Sequence, residues 1–283
     1  MSRLFEALQR SESERSGAVL SEPPISAATE LLETAERKLK LDEFPSIPVA
    51  VTPDKRLVTW TSEESLGAEK FRFLAVRLRH LQQSRAMKRL LVTSAMAEEG
   101  KSLVAANLAV ALAQKRRQKV LLLDGDLRRP SLIETLGLEK LQGLSEWLQG
   151  GASPTASLYR LEEPGVWFLP AGSPVDNALG LMQSGKLSDL LDQLGTWFDW
   201  IVIDSPPLLP LADTSVWMRL VEGVLLIARE GRVERRHFKK GLETLKTSNL
   251  IGVVLNDTRT ADQRDYYEHY YLTGAQSKND GPK

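Results

Sequence analysis

As a pattern of apolar and polar positions, the chain changes character near Ser65. Before that point "MSRLFEALQRSE" has helical spacing: Ser2 offers a cap, and Leu4, Phe5 and Leu8 share one side that needs a partner. From Ser11 to about Thr61 polar residues dominate and Pro23, Pro24, Pro45, Pro48 and Pro53 interrupt them, with one amphipathic stretch near Ala28 to Leu41. This predicts a mobile arm or linker. "SLGAEKFRFLAVRLRHLQQ" then sets Phe71, Leu74, Leu78 and Leu81 on one stripe, with basic residues elsewhere, as a helix packed on a core does.

The short apolar runs "RLLVTSA", "KVLLLDGD", "VWFLPAG", "WIVIDSPP", "GVLLIARE" and "LIGVVLND" follow. Helical segments separate most of them: "SLVAANLAVALAQK", with Leu103, Ala106, Val110 and Ala113 at helical spacing, "KLSDLLDQLGTW" and "RRHFKKGLETLKTS". Strands apolar on both faces, alternating with helices, predict an α/β fold built on a mostly parallel, doubly wound sheet. The expected division is a helix and arm over 1–64, a globular domain over 65–260 and a tail over 261–283. No internal repeat competes with that reading.

Composition narrows the chemistry. A chain of 283 residues with 42% hydrophobic content can bury one sizeable core and still carry extensions. It has no cysteine, so disulfides and thiolate metal sites are excluded, in keeping with a reducing cytoplasm. His80, His237 and His269 are too scattered to make a zinc site. Lys+Arg and Asp+Glu both number 37, so charge gives no case for nucleic acid or an anionic membrane as the main partner. No apolar run of about twenty residues occurs, so neither a membrane span nor an export signal is expected.

The chemistry gathers at strand ends. "AMAEEGKS", Ala95 to Ser102, fits a P-loop between a strand and a helix, except that Ala95 replaces the leading glycine. Backbone amides from Glu99, Gly100, Lys101, Ser102 and Leu103 can cradle a polyphosphate. Lys101 can reach its β/γ oxygens, and Ser102 can ligate Mg²⁺. Asp124 and Asp126 end one apolar strand and Asp204 ends another. Ligands of open parallel sheets bind at carboxyl strand ends, so all three fall on the P-loop edge. Helix capping is the plain explanation for each aspartate alone, but Mg²⁺ accounts for the set.

These three segments resemble the Walker A, A′ and B motifs of the bacterial tyrosine kinases of the capsular and exopolysaccharide biosynthesis family. "DGDLRRP" is similar to the A′ motif, "VIDSPPLLPLAD" to the Walker B region, and the likeness runs from about Glu69 to the tail. The resemblance implies a P-loop NTPase that uses ATP and Mg²⁺ to phosphorylate tyrosine. Lys101 would bind phosphate, and Ser102, Asp126 and Asp204 would hold Mg²⁺. Asp124 would accept the phenolic proton, with the Asp124 and Asp126 assignments open to exchange, and Asn256 would read the purine. Arg128 and Arg129 would neutralise phosphate, contact a neighbour or simply face solvent.

It also gives a use to "DYYEHYYLTG". This stretch holds Tyr266, Tyr267, Tyr270 and Tyr271, while the whole chain has 5 tyrosines. In the family such a C-terminal cluster is the autophosphorylation site. Tyr266 lies ten residues beyond Asn256, a reach of roughly 33 Å for extended chain. Family partners are further copies of the chain, an integral membrane polysaccharide co-polymerase that activates and recruits it to the inner face of the membrane, and an opposing phosphatase. The ring-building E-x-x-R-x-x-R element is matched by Glu69 and Arg72 but not by Ala75, and the usual Pro-Gly of the P-loop is Ala97-Glu98. Two rivals share the fold. A ParA/MinD-type positioning ATPase would carry a lysine where this chain has Met96, and a nucleotide-binding adaptor without kinase activity would draw on Glu98.

Overall fold

A computed structural model describes residues 44–258 apart from 115–117, 152–153, 164 and 247–248. The N-terminal helix and amphipathic stretch, most of the proline-rich arm and the four tail tyrosines lie outside the described residues. The elements run β1 (Ser46–Ile47), α1 (Val58–Thr61), α2 (Leu66–Ser84), β2 (Arg89–Ser94), α3 (Lys101–Ala113), β3 (Val120–Asp124), α4 (Leu132–Thr135) and α5 (Leu144–Leu148). They continue with β4 (Tyr159–Leu161), β5 (Trp167–Leu169), α6 (Ala178–Met182), α7 (Lys186–Trp197), β6 (Trp200–Asp204), α8 (Asp213–Arg219), β7 (Gly223–Arg229), α9 (Arg235–Thr244) and β8 (Leu250–Asn256).

The strands form one eight-stranded sheet in the order β1-β4-β5-β3-β6-β2-β7-β8. Neighbours pair parallel except β4 with β5, so β1 and β4 run against the rest. The sheet is therefore mostly parallel with helices around it, as its apolar runs require. β3 and β6 are buried at every position, and they pair in register so that Asp124 stands opposite Asp204. That register sets two of the three predicted carboxylates side by side.

α3 has the longest buried run of the described helices. Its residues Val104 to Leu112 are all buried, because α1 and α2 cover its back while β2, β3 and β6 take its front. Four alanines in that stretch let helix and sheet approach closely. The expected stripe was narrower, and its end members Leu103 and Ala113 are only partly buried. α2 is capped by Ser65, whose hydroxyl accepts from the Ala68 amide at 3.2 Å. It buries Ala68, Ala75 and Leu78, while Phe71, Leu74 and Leu81 pack at the margin of the core.

The arm reading needs correction from Phe44 onward. Leu57 is fully buried, and the Thr59 amide and hydroxyl both donate to Asn107 Oδ1 on α3, at 3.1 and 3.0 Å. β1 adds to the sheet edge beside β4. Short elements such as these have no periodicity to read; partners supplied by the rest of the fold hold them. "LIGVVLND" is corrected too. As β8 it is an edge strand, with Val253 and Leu255 exposed at 45% and 57%, since an apolar run does not reveal whether a neighbour exists on both sides. Among the described residues no helix is long and apolar enough to cross a membrane.

Candidate functional site

The site is built where β2, β3, β6, β7 and β8 end. β2 delivers the loop Ala95–Gly100, and Gly100 turns it into α3 at φ 87. That glycine is required twice over: its φ is left-handed, and a Cβ there would lie 2.2 Å from Asn256 Nδ2. The Met96 amide donates to Glu99 Oε1 at 2.8 Å, and the Ser94 hydroxyl donates to the Met96 carbonyl at 2.5 Å. Glu99 is buried, which pushes its carboxyl up; amide donors from Met96 and Arg229 partly offset this, and Oε2 finds no partner among the described residues. The Glu99 side chain therefore shapes the loop through the Met96 amide.

Glu98 departs from its expected glycine and still adopts φ 63. Its side chain turns outward, 79% exposed, to within 3.5 Å of the Arg232 guanidinium. The added charge thus points away from the phosphate cradle, so repulsion of the ligand does not follow from having Glu98 in this loop.

Lys101 opens α3, and its Nζ lies 3.7 Å from Asp126 Oδ2. Both side chains are largely shielded, so the ammonium already sits among the carboxylates on this edge. Ser102 Oγ accepts a hydrogen bond from Ser131 Oγ at 2.7 Å. Asp204 is fully buried, and neither of its oxygens has a hydrogen-bond partner among the described residues. Burial pushes its pKa up to about 6; the Lys101 charge and the nearby Ser102 hydroxyl, short of full hydrogen-bond geometry, pull the other way, and Asp126 adds to the rise.

Asp124 is also fully buried, but its oxygens are engaged: Oδ1 accepts from the Asp126 amide and Oδ2 from the Leu132 amide, each at 3.2 Å. Burial, then the facing Asp204, hold its pKa well above the carboxylate range. Asp126 Oδ1 accepts from the Arg129 amide at 3.0 Å, leaving Oδ2 toward Lys101.

Mg²⁺ fits this edge. A buried carboxylate with two unpartnered oxygens costs free energy that a cation can recover. Ser102, Asp126 and Asp204 form an all-oxygen donor set of the hard type Mg²⁺ prefers. Among the described residues no group of three His, Cys, Asp or Glu side chains could hold a metal ion by itself. Mg²⁺ commonly completes its shell with water and phosphate oxygens.

Three predicted residues take different posts. Arg128 is pinned by buried Asp213, Nε to Oδ2 at 2.6 Å, and its Nη1 donates to the Asp176 carbonyl at 2.9 Å. Arg129 is exposed. Asn256 reaches the site as expected, but Nδ2 donates to the Glu99 carbonyl at 3.0 Å and Oδ1 accepts from the Asp257 amide at 3.0 Å. It braces the phosphate loop in this state. Glu69 pairs with Arg72 one turn along the same helix at 2.5 Å, and Ala75 is buried, so an arginine there would have to leave the core.

Sequence reading missed Ser131, Asp213 and Arg229. A serine before "LIET" could have been read as a cap; the contacts of the other two cross 85 and 28 residues of sequence and left no local signal. A cleft of about 600 Å³ lies at the opposite edge of the sheet, where Arg89 is already paired with Asp192 and Glu222.

Comparison with known proteins agrees with this geometry. A family model described as ParA, NUBPL iron-transfer P-loop NTPase, matches residues 85–279. The tyrosine-protein kinase YwqD of Bacillus subtilis is 31% identical over 77% of this chain and 92% of its own length. The kinase domain of the Escherichia coli tyrosine kinase ETK superposes with a TM-score of 0.68 at 26% identity, covering 77% of this chain and 92% of that one. The septum site-determining protein MinD of Pyrococcus horikoshii, complexed with Mg-ADP, gives 0.53 at 26% identity over 62% of this chain and 72% of its own.

Proposed function

The chain belongs to the bacterial tyrosine-protein kinases and has their ParA-type P-loop fold, and on that premise we propose that it transfers the γ-phosphoryl group of ATP to tyrosine, with Tyr266, Tyr267, Tyr270 and Tyr271 of its own tail as acceptors. The observation that carries this reading is the convergence of Lys101, Ser102, Asp126 and the unpartnered Asp204 on one sheet edge. Asn256, which ends β8 just before the tail, stands on the same edge.

Phosphoryl transfer passes through a loose transition state, so positioning and charge neutralisation do most of the work. The amides from Glu99 to Leu103 hold the phosphates, and Lys101 neutralises charge on the β/γ oxygens. Ser102, Asp126 and Asp204 would hold Mg²⁺, which would supply the remaining positive charge. A tyrosine hydroxyl is protonated at neutral pH, with a free pKa of about 10. Zero exposure and two amide contacts support a positioning role for Asp124, which holds the turn after β3 in shape. Asp126, whose Oδ2 lies 3.7 Å from the Lys101 ammonium, stays with Ser102 and Asp204 as a holder of Mg²⁺.

The same reading assigns the kinase to control of capsule or exopolysaccharide polymerisation and export. It acts as a homo-oligomer at the inner face of the membrane, recruited and activated by an integral membrane co-polymerase and opposed by a tyrosine phosphatase. Each added phosphate brings about −1.5 to −2 charges. A multiply modified tail is repelled by the acidic, phosphate-bearing site and leaves it. Met96, in place of the MinD-type lysine, counts against a positioning ATPase.

The test is purified protein with Mg-ATP, followed by mass spectrometry, beside Lys101→Met and a variant with all four tail tyrosines changed to Phe. Phosphate is expected on the tail of the parent chain only, with ATP turnover lost in Lys101→Met. Turnover untouched by that change, or a bare tail even with a membrane activator supplied, refutes the proposal.

A further inference from the structure

We propose that Arg229 is a positioning residue that ties the root of the tyrosine tail to the lip of the phosphate loop, an inference that rests on the kinase reading above. Arg229 ends β7 and pairs in register with Asn256, the last residue of β8. Its Nε and Nη2 donate to Asp257 Oδ2 at 3.0 and 2.7 Å, while Nη1 reaches the Glu98 carbonyl at 3.4 Å. One guanidinium thus spans the loop that holds phosphate and the residue from which the tail departs.

Neighbouring contacts close the same clamp. The Glu230 amide donates to the Asn256 carbonyl at 3.0 Å, and Asn256 Nδ2 holds the Glu99 carbonyl at 3.0 Å. Asp257 takes φ 56, a left-handed turn that swings the chain off the strand at a defined point. Arginine suits the post because its planar fork serves two acceptors at once, which a lysine ammonium on a flexible stem does less well. The Arg229 and Asp257 side chains are 27% and 44% exposed, and pairs that open to solvent add little to folding stability. What the clamp sets is where and in which direction the tail begins.

Position matters here because the acceptor is tethered. Tyr266 follows Asp257 by nine residues, a span of about 30 Å at most, and a short tether gives a phenol an effective concentration in the millimolar range. Effective concentration falls roughly as the −3/2 power of tether length, so fraying all of β8 would lower it only about twofold. A larger loss reports lost direction.

The experiment uses the full chain with Mg-ATP as the parent, Arg229→Ala, Arg229→Lys and the charge swap Arg229→Asp with Asp257→Arg. Tail phosphate is timed by mass spectrometry at limiting and saturating ATP. Each arginine variant is also made with the four tail tyrosines as Phe and offered a synthetic peptide of residues 262–273. Arg229→Ala is expected to slow tail phosphorylation about fivefold more than it slows phosphorylation of the peptide. Arg229→Lys should fall between, and the swap should recover at least half of the lost rate. Equal losses on tail and peptide, a loss of twofold or less on the tail, or a swap without recovery would overturn the inference while leaving the kinase reading intact. A parent chain that never labels its tail overturns both.

Discussion

At the residue scale, Glu98 shows how a side chain can alter a phosphate loop in sequence and yet leave its electrostatics largely alone. A non-glycine residue at φ 63 costs roughly 1 kcal/mol, while its contact with Arg232, between groups 62% and 79% exposed, contributes about 0–1 kcal/mol. Glu98→Gly should therefore leave stability unchanged or raise it by up to about 1 kcal/mol in urea titrations. Nucleotide affinity should change by less than about threefold in calorimetry. A tenfold tightening would mean that the charge faces the ligand. Lys101, Ser102, Asp126 and Asp204 were legible from motif spacing because each sits within two residues of a strand end or helix start, where topology alone aims it. The commitment of both Asp124 oxygens was not, since that depends on amides that the turn after β3 brings back.

At the scale of elements, α5 is held by a carboxylate as well as by its buried Leu144 and Leu148. Glu146 Oε2 accepts from the Gly143 amide at 2.8 Å, and Oε1 accepts from the Ser173 amide at 2.9 Å, joining the helix to the segment after β5. Burial alone would raise its pKa; the Gly143 and Ser173 donors together outweigh that and hold it at about 2. A depressed carboxylate pKa stabilises the fold above the unfolded value and loses that contribution as pH falls through the folded one. Glu146→Gln should cost roughly 1–2 kcal/mol at neutral pH, after discount for solvent screening. The gap from the parent should close as pH drops from about 4.5 to about 2. A gap constant across that range in denaturant melts would refute the assignment. The spacing around Glu146 in "GLSEWL" suits a helix start, but the partner Ser173 is 27 residues away and comes only with the fold. α3 and β8 carry the same lesson, for apolar spacing identified each element and only its neighbours decided how many of its faces are covered.

At the scale of the whole molecule, the domain begins earlier than the change of pattern at Ser65 implies. Leu57 lies in the core, Thr59 is bonded to Asn107, and Gln114 Nε2 donates to the Thr59 carbonyl at 3.1 Å. Leu57→Ala should cost about 2–5 kcal/mol. A chain cut to begin at residue 65 should lose its cooperative thermal transition or melt well below the parent, as calorimetry would show. An unchanged melting temperature would restore the linker reading for residues 44–64. By itself, the amino-acid order determined the alternation of buried strands and helices, the edge on which the chemistry sits and the residue types that supply it. Those follow from side-chain periodicity and from the rule that parallel strands all end on one side. Only the tertiary structure decided which strand lies at the edge, which carboxylate is satisfied and which is left without a donor, and which way Glu98 and Arg229 turn. Each of these is settled by groups far apart in sequence, whose distances no local pattern encodes.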